Sequence, residues 1–217
     1  MKILISIICA IIIISCRYKS QQTQTPTSKV DTYTDSVATP TTIDSMTAIQ
    51  NRAAYMRTNE NHTILSTWSG NWNGAATIWR MPDTTAVFGQ LKSVSQMQMD
   101  GRYLISIITG KVKDTTFQAM GTLGYDNAKK LFVSTWIDNF GTGITELEGG
   151  WNNAEHQLEL KGKMIDPVTG RDADTRENIR AIDHNNQFIE LILYPGDKNK
   201  EHKLMEVKFT RRETERK

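Results

Sequence analysis

The chain has 217 residues, 26 of them basic and 24 acidic, for a formal net charge of +2, and it contains two cysteines, Cys9 and Cys16. So even a balance excludes the concentrated basic surface that phosphate binding requires, and no nucleic-acid partner is expected. The first residues, MKILISIICAIIIISC, set Lys2 before an apolar run from Ile3 to Ile14 that is broken only by Ser6. That run is shorter than the ~20 residues a spanning helix needs and has the length and flanks of a secretory signal.

The end of the run, Ile13-Ile14-Ser15-Cys16, resembles the bacterial lipobox. The resemblance implies that residues 1–15 are a lipoprotein signal peptide and that Cys16 is the lipidated first residue of the mature chain. The expected location is then the bacterial envelope, lipid-anchored, with the bilayer as partner. Arg17 does not resemble the acidic signal that retains lipoproteins at the inner membrane, which favours the outer one, facing the periplasm or the cell surface. Processing removes Cys9 and Lys2, so the charge falls by one from +2 to +1 and no intrachain disulfide is possible. The folded part must be held by burial alone, which a domain of ~150 residues sustains.

Residues 16–42 are rich in Thr, Ser and Gln with few aliphatic side chains, a composition that reads as a lipidated cysteine followed by a disordered tether. The domain is expected over 43–212, with a charged tail at 213–217. It opens with Ile43, Met46, Ile49, Ala53 and Met56 at helical spacing, for which Thr42 or Asp44 supplies an N-cap, so a short amphipathic helix leaning on the domain is expected.

From Leu65 onward, short alternating stretches are separated by turn residues at intervals near ten. Expected strands run from Ser66 to Arg80, Ala86 to Met99, Arg102 to Val112, Thr115 to Tyr125, Leu131 to Asn139 and Gly143 to Trp151. Four more run from His156 to Met164, Asp174 to Asp183, Gln187 to Tyr194 and His202 to Arg211. Ten hairpin-linked strands without crossover helices would leave two long exposed edges unless the sheet closes. The expected fold is therefore all-β, an antiparallel up-and-down barrel of about ten strands, with a β-sandwich as the alternative. Such a barrel has room for a small ligand unless large side chains fill it.

The segment GTLGYDNAKKLFVSTWIDNFGTG, Gly121 to Gly143, resembles the central signature of the family of proteins of unknown function numbered 1579. His62 with Leu65, Gly70-Asn71-Trp72, Asp100-Gly101-Arg102-Tyr103, Gly162 to Gly170 and Thr175-Arg176-Glu177 resemble its other segments in the same order. The resemblance spans about Met46 to Arg211. It implies a calycin-like barrel and brings no activity with it. Gly-x-Trp also resembles the opening strand of lipocalins and of haem-binding nitrobindin-like barrels; the late strands here offer only His184 at a turn and His202 at a strand start, so haem is disfavoured and no cofactor is expected.

Trp72, Trp79, Tyr125, Trp136 and Trp151 could line a pocket or simply pack. Trp136 and Asp138 lie two apart and share a face with Phe132 and Ser134. That face either looks outward, or looks into a wet cavity where Asp138 and Arg176 orient a polar ligand group. The candidate ligand-binding residues are thus Trp72, Tyr125, Trp136, Asp138 and Arg176, with Trp136 and Arg176 expected to face the interior. No catalytic residue and no metal ligand stands out: the four histidines show no metal-binding spacing, and no nucleophile elbow or phosphate loop is present. The reading is an envelope lipoprotein whose barrel binds a small, partly apolar ligand. The alternatives are a hydrolase or isomerase using carboxylates and arginine inside the barrel, and a structural or interaction protein with a filled barrel.

Overall fold

The computed structural model describes residues 43–79, 85–196 and 200–212. The expected signal peptide, Cys16, the tether and the charged tail lie outside the described residues. Two helices, α1 (Ser45–Met56) and α2 (Glu60–Thr67), precede ten strands. These are β1 (Gly70–Ile78), β2 (Val87–Gln98), β3 (Tyr103–Val112), β4 (Thr115–Asp126), β5 (Leu131–Asp138), β6 (Thr145–Asn152), β7 (Gln157–Asp166), β8 (Arg171–Ala181), β9 (Asn186–Tyr194) and β10 (His202–Arg211). Each strand pairs antiparallel with its sequence neighbour, and β1 closes on β10 from Trp72↔Arg211 to Ile78↔Met205. The expected closed antiparallel barrel is the observed fold, and no sandwich forms.

Alternation explains which side chains turn inward. In β2, Gly89, Leu91, Ser93 and Ser95 are buried while Gln90, Lys92 and Val94 between them are exposed. The turns are made by local chemistry. Asp126 Oδ1 accepts from the Ala128 and Lys129 amides at 2.7 and 3.1 Å, and Lys130 then takes a left-handed φ of 60° to lead into β5. The interior divides into two apolar clusters. One lies under α2 and contains Leu65, Trp68, Leu104, Phe132, Leu158 and Leu160; the other contains Trp72, Leu91, Val112, Phe117, Val207 and Phe209.

Two expectations about the start of the domain are corrected. The first strand begins at Gly70, not Ser66, because Glu60–Thr67 forms α2. Its N-cap Asn59 accepts from the Asn61 amide, and His62 Nδ1 accepts from the Asn59 amide at 3.1 Å, completing a capping box. As for α1, Asp44 is its N-cap, accepting from the Met46 and Thr47 amides at 3.0 Å, but the helix does not lean its apolar stripe on the barrel. Met46 and Ile49 remain about two-thirds exposed, at 65% and 64%. The helix is held only at its C-terminal end, where Asn127 donates to the Tyr55 and Arg57 carbonyls and Arg102 to that of Met56. The apolar surface of the barrel nearest this end is already covered by α2.

Candidate functional site

Four strands build one wall of an interior chamber from a single register row: Ser95 on β2, Ser106 on β3, Gly121 on β4 and Trp136 on β5. Ser95 and Ser106 share a hydrogen bond of 2.8 Å, and Ser93 adds one of 3.2 Å to Ser95. Gly121 leaves room for the Trp136 ring, which a Cβ at that position would approach to 3.3 Å. The indole packs on β4 at this glycine, and its Nε1 donates to Asp138 Oδ2 at 2.7 Å. Asp138 Oδ1 in turn accepts from the Phe140 amide at 2.8 Å. The carboxylate thus holds the ring in place from the end of β5.

The facing wall comes from β8 and β9. Ala173, Thr175, Glu177 and Ile179 alternate along β8, which sends the Glu177 side chain inward between Leu160 of β7 and Leu191 of β9 in the ladder. The chamber is partly open, has a volume of about 80 Å³ and is lined by residues of both apolar clusters. Its polar lining includes Ser93, Ser95, Ser106, Thr122, Ser134, Glu177 and Gln187, and its apolar lining includes Trp68, Trp72, Trp136, Leu104, Ile189 and Phe209. Space of this size is about half the 150 Å³ that accepts the six carbons of benzene in an apolar cavity, which limits a wholly contained ligand to a few non-hydrogen atoms.

Glu177 is the one titratable group in that lining. Its side chain is half-buried and lies in the chamber lining. Among the described residues no group donates a hydrogen bond to its carboxyl or pairs with it. Burial alone pushes its pKa from the ordinary 4.5 up to about 7.

The residues expected to form a site are only partly brought together. Trp72 and Trp136 line the chamber. Trp72 Nε1 donates to the Trp68 carbonyl at 3.2 Å, and the Arg211 guanidinium lies over the Trp72 ring, 4.0 Å from its centre. Arg211 also donates to the carbonyls of Thr67, Ser69 and His184, so it fastens the end of α2 to the closing strand. Asp138 shares its face with Trp136, as expected, but it holds the indole and is not part of the lining. Tyr125 packs edge-on to Phe132 at 5.0 Å and to His62 at 5.9 Å, below α2 and away from the chamber.

Arg176 is the clear correction. It points outward, 3.4 Å from Glu201 and 5.8 Å from the centre of the Tyr194 ring, because inward Glu177 follows it and successive residues of a strand face opposite sides. Trp79, near Lys203, and Trp151, packed against the cluster under α2, also lie off the chamber. On the outside of β6, Glu146 and Glu148 are exposed, and Glu148 pairs with Lys129 at 2.9 Å. Among the described residues no second carboxylate lines the chamber beside Glu177. Among the described residues no group of three His, Cys, Asp or Glu side chains could hold a metal.

Sequence reasoning missed Glu177, Trp68, Gln187 and the four serines. The signal for Glu177 was present: Ala173, Thr175 and Ile179 share its parity and mark the inward face of β8.

Fold and site together define a class: a closed ten-strand antiparallel barrel, end-capped by a helix, with a small amphiphilic chamber built around one unpaired acid. The chain belongs to the family described as "Protein of unknown function (DUF1579)", whose model matches residues 57–211. No curated protein matches the chain.

Proposed function

We propose that the domain is a binding module whose site is the interior chamber and whose ligand is small and partly apolar. The observation that carries this is the unpartnered carboxyl of Glu177 enclosed beside serine hydroxyls and indole faces. A core built only for stability gains nothing from a buried acid without a partner, since enclosing an unsatisfied polar group costs free energy. The small volume restricts the ligand to a few heavy atoms, far below the 300–1,000 Å³ sites of drug-sized molecules. An enzyme reading would need a second acid, base or nucleophile beside Glu177, and the lining supplies serines without a base aimed at them.

A calycin-like relationship is supported by Gly70-Asn71-Trp72, which opens β1 and closes one end of the barrel under Arg211. We also propose that the domain is tethered to the bacterial outer membrane by lipidated Cys16, on the strength of the Ile13-Ile14-Ser15-Cys16 motif. Fractionation of cells expressing Cys16→Ala is expected to find a soluble or unprocessed species. Retention of a correctly processed chain in the membrane would overturn the tether.

The binding reading is tested by recording the indole N–H signals of the five tryptophans while amines, alcohols and carboxylic acids of a few heavy atoms are added. Shifts confined to Trp68, Trp72 and Trp136, abolished by the chamber-filling change Ser106→Leu, are the expected result. Unmoved signals with every probe would leave the filled, structural barrel in its place.

A further inference from the structure

The chamber has one charge-bearing group and several aromatic faces, and that combination selects among ligand chemistries. Among the described residues no Lys, Arg or His side chain lines it, so a carboxylate or phosphate would meet Glu177 without a counter-charge. A wholly apolar ligand would leave the Glu177 carboxyl and the serine hydroxyls without new partners. A hard metal cation takes six or more oxygen ligands where calcium is concerned, and a single carboxylate with hydroxyls falls short of such a cage. An organic ammonium ion meets none of these objections. Its N–H groups donate to Glu177 and to serine oxygens, and its alkyl body lies against Trp72, Trp136 and Phe209, with the Trp136 ring face attracting the charge.

Resting on the reading of the chamber as a binding site, we propose that its ligand is a small alkylammonium cation held by the Glu177 carboxylate and the indole face of Trp136. The enclosed acid then has a role: the cation supplies the partner that the fold omits. Binding is coupled to proton release, because the empty site holds Glu177 protonated through much of the range below pH 7, and the cation requires the carboxylate. The ladder neighbours of Glu177, Leu160 and Leu191, are uncharged, as are Ser93, Ser95, Ser106 and Trp136 on the facing wall. Two charged groups stand behind the wall: Asp138, engaged by the Trp136 indole and the Phe140 amide, and Arg211, over the Trp72 ring and bonded to the carbonyls of Thr67, Ser69 and His184. The charged groups of β7 to β10 nearest in register, Lys161, Arg176, Glu190 and Lys203, project from the outer face.

The test uses the full chain and two probes of one shape, tert-butylammonium and tert-butanol, titrated calorimetrically at pH 8 and pH 6. The amine stays protonated across that window, as an ordinary alkylamine near pKa ~10.4 does. At pH 8 the cation is expected to bind at least ~10-fold more tightly than the alcohol, and ~10-fold more weakly at pH 6 than at pH 8, the ratio that titration of one group at about 7 produces. Glu177→Gln, which keeps the volume and removes the charge, is expected to bring the two probes within ~2-fold and to flatten the pH response. Equal binding of both probes to the unaltered chain would overturn the cation inference and leave the binding module standing. Binding of neither at millimolar concentration would overturn both.

Discussion

Glu177 and Glu190 stand on adjacent strands of the same barrel wall, one inside and one outside, and they have opposite electrostatic fates. Burial raises the pKa of both. At Glu190 that effect is outweighed by Lys203 Nζ at 2.6 Å and by Asn178, which donates at 3.2 Å, so its pKa ends below the ordinary value. Glu177 has no such donor, and its pKa ends at about 7. The outer face of β8 to β10 has been given a polar network in which acids and bases meet: Arg176 with Glu201, and Lys203 with Glu190 and Glu206. The inner face of β8 and β9 carries one acid, Glu177, and no base. Partial burial is therefore not what distinguishes a structural acid from a candidate binding group in this barrel; the presence of a partner is.

The largest effect on that contrast comes from removing the inner wall itself. Trp72 is 2% exposed and stacked under Arg211, so Trp72→Ala is expected to destabilise the domain by ~3–5 kcal/mol, the range for buried aromatic truncations. Chemical denaturation measures it. A loss below ~1 kcal/mol would mean that the Arg211 clasp does not depend on the ring.

Next in size is Glu177→Gln. The folded-state pKa near 7 lies above the ordinary 4.5, so between these values the folded chain binds more protons than the unfolded one and stability falls as pH rises. The variant is expected to be more stable than the parent by up to about 3 kcal/mol at pH 8, with the advantage gone by pH 4. Parallel melts across pH 4–8 read this directly, and a pH-independent difference would contradict it.

Glu190→Gln has the opposite sign. It leaves Lys203 with only Glu206, 3.4 Å away, and is expected to cost ~1–2 kcal/mol at pH 7. Because the Glu190 pKa is depressed, its contribution is present above the ordinary 4.5 and is lost as pH falls through the folded value. The same melts should therefore show the two variants diverging at pH 8 and converging at low pH.

The barrel was legible in the sequence wherever polar and apolar residues alternate. Ile189, Leu191 and Leu193, and Val207 with Phe209, show one-sided strands, and Asp100-Gly101 shows a turn. The chamber was much less legible, because its polar residues occupy stretches where both faces are polar. Ser93 and Ser95 alternate with Lys92 and Gln96, and Arg176, Glu177 and Asn178 run consecutively, so hydrophobicity does not mark the inner face locally. Assigning Arg176 instead of Glu177 to the interior is a one-residue parity error, and it exchanges a network cation for the enclosed acid. Trp136 and Asp138 were correctly placed on one face; their mutual hydrogen bond is a contact between neighbours that spacing suggests but does not establish. α2 was hidden because its capping box uses His62 where Glu or Gln is usual, and because its β-branched Thr63 and Ile64 read as a strand approach.

The smallest effect is expected at Arg176, and it tests the comparison most specifically. Arg176 neighbours Glu177 in the chain and lies across the strand from it, so a mutation there separates proximity in sequence from membership of the chamber. Its contact with Glu201 is 3.4 Å long and its carboxylate partner is 62% exposed, so the pair is weakly coupled and screened by solvent. The stacking on Tyr194, at 5.8 Å, adds a surface cation–π contact. Arg176→Ala is accordingly expected to cost less than ~1 kcal/mol in stability and to leave the tert-butylammonium affinity and its pH response within ~2-fold of the parent. The neighbouring Glu177→Gln is expected to abolish that response. A loss of cation binding in Arg176→Ala equal to that in Glu177→Gln would mean that the outer network sets the charge state of the chamber, and the division of the wall into a networked face and a vacant acid would fail.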